Sequence, residues 1–526
     1  MSDQNNSVFE QRVASLRELL DQNDLDALIV SHDDEYLSYE LNEDEERLKY
    51  ITGFSGSAGY AVITRNDLKI NEESIEINQD NSENSTLVER DCAVFVDGRY
   101  VVQVKEQIDS DIFQDFDLAK VKPAKWISSV MPKNSTVGID INCVSYKEYI
   151  SIKNELGMNN INLVATENNL VDKIWTDKPA SVISEISIFP DEYNGCPSPQ
   201  KRQLIAQTLR DKDLDATVIC DPESICWLLN IRGKDRAYLP VINCKMVAYS
   251  NEALEWYINP NHFKDENLQD QLQEHIGHID IFPEEAFDDV LDRLCSSSCT
   301  VYVDPETTNA HVMTKLYSGG AKVSEGLGLC QMPKACKNHI EVAGEYKAHI
   351  KDGIAMCRFI SWLDNLTALD KPTDSDETFL RRVEGVDEAE LAARALSFRK
   401  VEAGFIEPSF ATISALGPNA AMCHYNHENE ATPRALGKDC LYLIDSGAHF
   451  IEGTTDITRT ILVGPHITDE IKRMYTLVLK SHIALATLIF PKGTSGIQID
   501  AIARRPLWDC GFDFAHGTGH GVGHVL

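Results

Sequence analysis

The chain has 526 residues, of which 43% are hydrophobic and 25% charged, and its formal net charge is −34. This length exceeds what one hydrophobic core supports and predicts two to four domains of a globular protein. The negative charge argues against binding to nucleic acid or to an anionic membrane, because both are themselves negatively charged.

Three sequence features bear on the compartment. The N-terminus, MSDQNNSVFEQRVASLRELL, lacks a basic segment followed by an apolar core, so we expect no secretory signal. The sequence contains no run of about 18 apolar residues, so it predicts no membrane span. The 14 cysteines are scattered without a CxxC pair. We therefore expect a cytoplasmic protein with reduced thiols rather than a disulfide framework.

An internal repeat organises the first two thirds of the chain. Residues 16–30 (LRELLDQNDLDALIV) and 204–219 (LIAQTLRDKDLDATVI) each combine an apolar-periodic helix, a polar turn and Leu-Asp-Ala at the start of a strand. The glycine-bearing segments TGFSGSAG and NIRG follow at a similar distance. The sequence predicts two related α/β domains, residues 1–172 and 173–334, with WTDKP as the linker.

Two further features of the first domain lie between predicted strands. Residues 66–91 are rich in Asn, Ser, Glu and Asp, which predicts an exposed, mobile insertion. The apolar segment AVFV then ends at Asp97–Gly98, a turn signal that puts Arg99 at the end of a strand. An arginine at such a place usually pairs with a nearby carboxylate, and this interpretation competes with a binding role.

The third domain is predicted to cover residues 335–526. Apolar residues such as Tyr346 and Ile350 recur at helical spacing within residues 338–366, and residues 387–400 predict a second helix. His424 follows a turn-like GPN segment and a short apolar run. Taken alone, this histidine is most simply a structural one.

The last part of the chain concentrates candidate ligands. Asp445 and Asp456 lie in apolar, β-branched runs, where a carboxylate is costly without a cation. Glu452–Gly453 predicts the turn of a β-hairpin that brings the two carboxylates close, so that they repel and favour a bound cation. His516 and His520 follow in a glycine-rich segment that allows close approach to a ligand. This O/N donor set suits Mn²⁺, Co²⁺ or Zn²⁺, although each residue alone fits a structural role equally well.

The segments DSGAHFIEGTTDITRT and HGTGHGVG resemble the metal-site segments of the Xaa-Pro aminopeptidases (aminopeptidase P), which are pita-bread metallopeptidases. The resemblance extends through ITGFSGSAG, VDGRY, VDKIWTDKP, WLLNIRG, HIKDGIAMCRFISWLD and ISALGPNAAMCHY. It is closest to the long, three-domain cytosolic form. The implied fold is two related α/β domains of the creatinase/prolidase N-terminal type followed by a pita-bread α+β domain.

The resemblance implies a two-metal site. Asp445, Asp456 and His520 match three of the five ligands in the family, and the other two are glutamates on later strands. The implied cofactor is a pair of divalent ions, with Mn²⁺ expected and Co²⁺ or Zn²⁺ as alternatives. No counterpart of the glutamates precedes Leu526, so we expect a C-terminally incomplete catalytic domain and an inactive span.

The resemblance also implies substrate contacts for Arg99, His424 and His516. The arginine of VDGRY reaches the bound peptide, and the two histidines are expected to be catalytic by donating to the scissile carbonyl. The general base in the family is one of the glutamates, so none is assigned. Three more histidines match no ligand position and are expected at the surface or beside the ligands: His427, His449 and His524.

The implied activity is hydrolysis of an N-terminal Xaa-Pro bond with release of the first residue. An X–Pro bond is a tertiary amide without an N–H, so its hydrolysis requires a dedicated pocket. The expected partners are peptides with proline in the second position, and the complete protein is expected to be a homodimer. Two alternatives stay open. A prolidase-type dipeptidase usually has one N-terminal domain, which the repeat argues against. A metal-free pita-bread binding protein would not need the three ligands.

Overall fold

The computed structural model describes residues 2–65, 76–78, 85–368 and 376–526. In these ranges the chain forms two six-stranded sheets followed by a four-stranded sheet, with two short two-stranded ribbons beside them. No helix in these ranges combines the length and the apolar character needed to cross a bilayer. All 14 cysteines carry free thiols, as predicted.

The first domain is a mixed sheet with an apolar cluster on each face. Its strands are β1 (Ala27–Ser31), β2 (Gly59–Thr64), β3 (Glu76–Asn78), β4 (Ser85–Leu87), β5 (Cys92–Val96), β6 (Phe113–Asp117), β7 (Thr136–Ile139) and β8 (Asn162–Ala165). Its helices are α1 (Ser2–Gln22), α2 (Arg47–Thr52), α3 (Gln103–Gln107), α4 (Pro123–Val130), α5 (Tyr146–Met158) and α6 (Leu170–Ile174). Because strand side chains alternate, Ile29 packs with α4 and α5, whereas Leu28 packs on the other face with α1.

The sheet has the order β6-β5-β2-β1-β7-β8. Strand β2 is antiparallel to both of its neighbours, and the other pairs are parallel. Strands β3 and β4 pair separately as a ribbon. The rest of the insertion predicted at residues 66–91, namely 66–75 and 79–84, lies outside the described residues.

The second domain repeats this architecture. Its strands are β9 (Ser187–Ile188), β10 (Ala216–Ile219), β11 (Ile231–Arg232), β12 (Cys244–Tyr249), β13 (Leu254–Ile258), β14 (Asp280–Phe282), β15 (Thr300–Val303) and β16 (Lys322–Glu325). Its α-helices are α7 (Asp191–Asn194), α8 (Ser198–Asp211), α9 (Pro222–Leu229), α10 (Glu266–Ile276), α11 (Phe287–Ser296), α12 (Ala310–Ser318) and α13 (Gln331–Ala335). The order β14-β13-β12-β10-β15-β16 has one antiparallel strand, β12, at the position of β2.

The aspartate of the Leu-Asp-Ala repeat makes the same contact in both domains. The aspartate lies between the helix and the first strand, and its carboxylate accepts a backbone N–H from the parallel neighbouring strand. Asp26 Oδ2 accepts from Thr136 N at 2.8 Å, and Asp215 Oδ2 accepts from Thr300 N at 2.8 Å. The predicted relationship between the two domains is therefore confirmed down to equivalent side-chain contacts.

The third domain packs helices on a hairpin sheet. Its strands are β17 (Phe405–Glu407), β18 (Ile413–Leu416), β19 (Cys440–Phe450) and β20 (Gly453–Val463). Its α-helices are α14 (His339–Thr367), α15 (Asp376–Arg382), α16 (Glu388–Lys400), α17 (Asp469–Ala486) and α18 (Gly496–Trp508). Asn338 and Glu341 form a capping box at the start of α14, and Asp387 caps α16. The two helices predicted from periodicity are confirmed.

The apolar stripe that predicts α14 is not its buried face. Tyr346 and Ile350 are 73% and 64% exposed. The buried face instead carries Ala348, Phe359 and the polar Asp352, which pack against the hairpin and α16. Helical spacing therefore predicts the helix correctly but not the direction in which it faces.

Both N-terminal domains contact the third domain. In the first domain, the Tyr100 hydroxyl lies 2.6 Å from His424 Nδ1. In the second domain, the Tyr238 carbonyl lies 2.8 Å from Nε2 of His449 on β19. Lys234 of the second domain also pairs with Glu407 on β17 at 3.2 Å. The third domain therefore lies against both repeats, and its hairpin contacts the second one.

Candidate metal centre

The β19–β20 hairpin carries both predicted aspartates on one face. Asp445 pairs with Thr458, and Asp456 pairs with Gly447, so the two aspartates are diagonal neighbours offset by two residues. The turn lies at Ile451–Glu452, one residue earlier than predicted, and Gly453 opens β20. The predicted hairpin is confirmed, and side chains in this diagonal relationship reach each other.

The Asp445 carboxyl group lies in an environment that disfavours its charge. Burial raises the pKa of Asp445 to about 6; the neighbouring Asp456 adds to the increase, and a hydrogen bond from Thr458 opposes it. The Asp445 Oδ1 atom is buried and has no hydrogen-bond partner among the described residues. Burying an unpaired carboxylate oxygen beside a second carboxylate costs free energy unless a cation binds to both groups.

His520 supplies an imidazole next to this pair. Its Nε2 lies 3.3 Å from Asp456 Oδ2, and its Nδ1 lies 2.7 Å from the Gly521 carbonyl. Because a carbonyl only accepts, Nδ1 carries the proton, and a neutral imidazole then directs the Nε2 lone pair toward Asp456. Two lone-pair donors facing each other suit a cation between them.

The glycine-rich segment is held from α18. Arg504 donates to the carbonyls of Phe514 at 2.6 Å and His516 at 2.9 Å, and its guanidinium lies 4.0 Å from the centre of the Phe514 ring. Thr518 donates to Asp500, the residue that also pairs with Arg504. The imidazoles are therefore exposed on a segment whose backbone is anchored.

His516 lies beside the site with a defined proton position. Its ring stacks on Phe514 at 4.6 Å, and its Nδ1 lies 2.7 Å from the Gly517 carbonyl. The proton on Nδ1 leaves Nε2 as an acceptor in the neutral ring. In this geometry His516 donates from Nε2 only as an imidazolium, which restricts the donor role predicted for it.

These residues fit a divalent cation. The orphaned Asp445 oxygen, the diagonal carboxylate of Asp456 and the Nε2 of His520 are the O/N donors that Mn²⁺, Co²⁺ and Zn²⁺ accept. The three donors do not all lie within 4.8 Å of one another; among the described residues that condition is met by the acidic group Asp34, Glu35 and Glu45.

The acidic group is an ion-pair network rather than a second metal site. The Arg236 guanidinium is buried between Asp34 and Glu45, and Arg47 pairs with Glu35 at 2.8 Å. These guanidinium groups supply the positive charge that a metal would otherwise provide. The network joins the first domain to the second.

Arg99 lies in the turn that follows β5. Its guanidinium bonds to Asp97, at 3.0 Å from Nε to Oδ2, and to the Tyr39 hydroxyl at 3.2 Å. A Cβ on Gly98 would lie 2.3 Å from the Ala515 carbonyl, so only glycine lets this turn approach the segment that carries His516. Arg99 therefore has the carboxylate partner that a purely structural role predicts, namely Asp97. It also lies at the edge of the site, where a binding role would place it.

His424 lies next to Arg99 and Asp97. Burial and then the charge of Arg99 lower the pKa of His424 to about 4, so the ring is neutral near pH 7. Its Nδ1 lies 2.6 Å from the Tyr100 hydroxyl. The structure thus brings Arg99 and His424 together, with His516 facing the same ring, and places His520 beside Asp445 and Asp456.

The surface location considered for three other histidines is wrong. They are 3–8% exposed, and two of them join elements: His449 bonds to Thr454 and Tyr238, and His524 bonds to the Glu452 carbonyl. His427 is also buried. A histidine with both nitrogens satisfied by protein is well suited to hold elements together, and pattern alone does not reveal that.

Tyr100 and Arg504 are site-supporting residues that sequence analysis missed. Tyr100 belongs to the VDGRY motif, so its position next to Arg99 was a signal that could have been followed. Arg504 lies in α18 with no motif around it, and only its spacing from Asp500 suggested a helical ion pair.

Comparison with known proteins agrees with this geometry. Residues 343–526 match metallopeptidase family M24, and residues 12–174 and 177–341 each match the creatinase/prolidase N-terminal domain. The Xaa-Pro aminopeptidase ApepP of Drosophila melanogaster is 32% identical over 518 residues, which cover 97% of this chain and 77% of that protein. The chain belongs to the Xaa-Pro aminopeptidases of family M24.

Other members of the family are similarly related. Aminopeptidase P1 of Arabidopsis thaliana is 30% identical over 98% of this chain and 80% of its own length. The X-prolyl aminopeptidase of Caenorhabditis elegans, described as a cytosolic enzyme with a di-nuclear active site, superposes with a TM-score of 0.86. That match has 27% identity and covers 98% of this chain and 80% of the other. The predicted fold class, two creatinase-type domains followed by a pita-bread domain, is confirmed.

Proposed function

We propose that this chain is a metal-dependent aminopeptidase that hydrolyses the N-terminal Xaa-Pro bond of a peptide and releases the first residue. The observation that carries the proposal is the orphaned, buried Asp445 oxygen beside Asp456 and His520. A purely structural hairpin gains nothing from two carboxylates on one face. Membership of the family, by matches over nearly the whole chain, supports the same reading.

Asp445, Asp456 and His520 are proposed to hold two divalent ions, with Mn²⁺ preferred and Co²⁺ or Zn²⁺ as alternatives. When bound, such a pair supplies a nucleophile near neutral pH and polarises the scissile carbonyl. Carboxylates and imidazole are borderline-hard donors, and no thiol lies in this donor set, which favours Mn²⁺ over a thiolate-seeking metal.

The remaining site residues are proposed to bind and orient the peptide. His424 is neutral and offers one N–H, which suits donation to a carbonyl oxygen without the cost of burying a charge. Arg99 lies next to His424 with its charge partly used by Asp97, and its remaining donors suit a more distant part of the peptide. His516 is proposed to contact the same substrate.

Two finer points belong to this proposal. The proposed domains are residues 1–172, 173–334 and 335–526. The donors identified among the described residues number three, whereas a two-metal site of this family is expected to take five. Two ions sharing three donors would be held weakly.

Compartment and assembly are also proposed. A cytoplasmic location is supported by the free thiols and by the cytosolic relative from Caenorhabditis elegans. A homodimer of the complete protein would cover part of the apolar surface exposed at Tyr346 and Ile350 on α14. Light scattering of the purified protein measures that mass directly.

The experiment compares three peptides on the protein loaded with Mn²⁺: X-Pro-Y, X-Ala-Y and N-acetyl-X-Pro-Y. We expect release of the first residue from X-Pro-Y and not from the other two, because the site requires both the proline ring and a free amine. Chelation should abolish turnover, and Mn²⁺ should restore it. Equal cleavage of all three peptides would contradict the proposal.

A further inference from the structure

Tyr100 of the first domain contacts His424 of the third domain through one hydrogen bond. The phenol oxygen lies 2.6 Å from Nδ1, and the two rings meet edge to face with centroids 5.4 Å apart. Tyr100 itself is fully buried, at 0% exposure. The contact joins residues 324 positions apart, so the orientation of His424 depends on how the first domain is docked.

Contacts within the first domain fix the position of the Tyr100 side chain. Its ring packs edge to face on Phe54, and Gly56 makes room for it, since a Cβ there would lie 2.8 Å from the Tyr100 ring. The phenol oxygen accepts the Ser57 backbone N–H at 3.0 Å and lies 2.5 Å from Ser57 Oγ. The hydroxyl group is thus held by the loop before β2, independently of the third domain.

The phenol keeps its proton and donates it outward. Burial raises the pKa of Tyr100 to about 12, so the group is a neutral hydroxyl near pH 7. Ser57 already donates one hydrogen to the phenol oxygen, and the Tyr100 proton can go either to Ser57 Oγ or to His424 Nδ1. The imidazole lone pair is the stronger acceptor, and a phenol is a stronger donor than a serine hydroxyl, so the proton points to Nδ1.

We propose that Tyr100 is a positioning residue that holds His424 as the tautomer protonated on Nε2. This inference rests on the proposed function of His424 as the donor to the substrate carbonyl. With Nδ1 occupied by the Tyr100 hydroxyl, the single imidazole proton lies on Nε2, which has no hydrogen-bond partner among the described residues. The charged and titratable groups that face the ring are Arg99, Asp97 and His516. No proton leaves the pair in the resting state; the tautomer is selected by the hydrogen bond alone.

The inference separates the roles of the two substrate histidines. His516 has its proton on Nδ1, bonded to the Gly517 carbonyl, so its neutral ring presents an acceptor. His424 presents a donor. A site that needs one N–H toward a carbonyl oxygen and one lone pair toward an amine or water would be equipped with both.

The test reads the tautomer directly by nitrogen NMR of the whole chain labelled with ¹⁵N-histidine, with the His424 signal assigned by its loss in His424→Gln. We expect Nδ1 of His424 to resonate as an unprotonated nitrogen and Nε2 as a protonated one. In Tyr100→Phe, which keeps the ring and its packing, the two nitrogens should move to intermediate values as both tautomers become populated. Tyr50→Phe is the matched control, because it removes a hydroxyl bonded to the Ile174 carbonyl in the same domain. A protonated Nδ1 in the unmodified chain, or an unchanged spectrum in Tyr100→Phe, would overturn the inference.

Kinetics distinguish this inference from the proposed function. In protein that turns over X-Pro-Y, Tyr100→Phe should lower kcat about 10- to 100-fold with little change in KM, as is usual when the partner that orients a catalytic group is lost. The same change made in a His424→Gln background should add no further loss. If X-Pro-Y is not cleaved but the NMR result is as expected, the activity assignment fails and the tautomer assignment stands. If cleavage is seen and kcat is unchanged in Tyr100→Phe, the positioning role is wrong.

Discussion

Replacing Arg399 by methionine should selectively loosen the strand that carries Asp445. Arg399 and Asp352 are 1% and 0% exposed and form an ion pair between α16 and α14. The same guanidinium donates to Ser446 Oγ at 2.9 Å and to the Ser446 carbonyl at 3.3 Å. Arg399 is therefore the link between both helices and β19, one residue from the proposed ligand.

The magnitude follows from the charge left behind. Removing one partner of a buried ion pair leaves an unpaired buried charge, which costs about 3–5 kcal/mol. We expect Arg399→Met to lose this amount, whereas Arg399→Met combined with Asp352→Leu should recover most of it, because an apolar pair of similar volume restores packing without a charge. Arg381→Met is the control, since its pair with Glu377 is more than 70% exposed at both residues and should contribute less than about 1 kcal/mol.

Hydrogen exchange is the suitable measurement, because a three-domain chain does not unfold in two states. Amides of β19 and β20 should exchange about 10²–10⁴-fold faster in Arg399→Met, and those of β1 and β10 should be unchanged. A double variant as labile as the single one would refute the reasoning, since the loss would then come from packing or from Ser446 rather than from the unpaired Asp352.

Three further predictions concern the site and the first domain. Asp456→Asn should abolish Mn²⁺ binding measured by calorimetry and should not unfold the hairpin; binding that survives would place the ligands elsewhere. Arg99→Ala should raise KM for peptides longer than a tripeptide more than for short ones, and an equal effect at all lengths would indicate a role in the fold or the chemistry. Burial raises the pKa of Glu46 to about 7, so the stability that its neutral form contributes is complete below the ordinary value of 4.5 and is lost as the pH rises toward 7. Glu46→Gln should therefore flatten the fall in first-domain stability between about pH 4.5 and pH 7, and an unchanged slope would contradict this pKa.

Local chemistry explains what the sequence predicted well. The Leu-Asp-Ala repeat was recognisable because the aspartate must lie at one point between helix and strand, where Asp26 and Asp215 accept equivalent N–H groups. The hairpin was recognisable because two β-branched runs flank a turn. The capped helices α14 and α16 start at Asn338 and Asp387, as cap chemistry requires.

Long-range partners explain what the sequence could not predict. Tyr346 and Ile350 fit an apolar stripe, but the face of α14 that meets the hairpin is chosen by the Asp352–Arg399 pair and by small residues such as Ala348. His449 looked unremarkable because its partner, the Tyr238 carbonyl, is 211 positions away. Periodicity predicts the secondary structure to which a residue belongs. Its burial depends on which other element packs against it.

The duplicated domains differ in which equivalent strand end reaches the candidate site. The repeats dock through equivalent positions: Ser145 and Asn309, the N-cap residues of α5 and α12, pair with each other. Such an isologous contact is what two copies related by a two-fold axis would make. The third domain breaks this symmetry, because it can lie against the turn after only one of the two equivalent strands.

The outcome is visible at the ends of β5 and β13. After β5, the first repeat has the glycine turn that approaches Ala515 and directs Tyr100 to His424. After β13, the second repeat has a 3₁₀ turn in which His262 bonds to the Ser184 carbonyl of its own domain. One copy of the strand end thus reaches the candidate site, while the other holds its own domain together. A substitution that disturbs the docking of the repeats, such as one at the buried Arg236, is therefore able to shift His424 without touching the third domain.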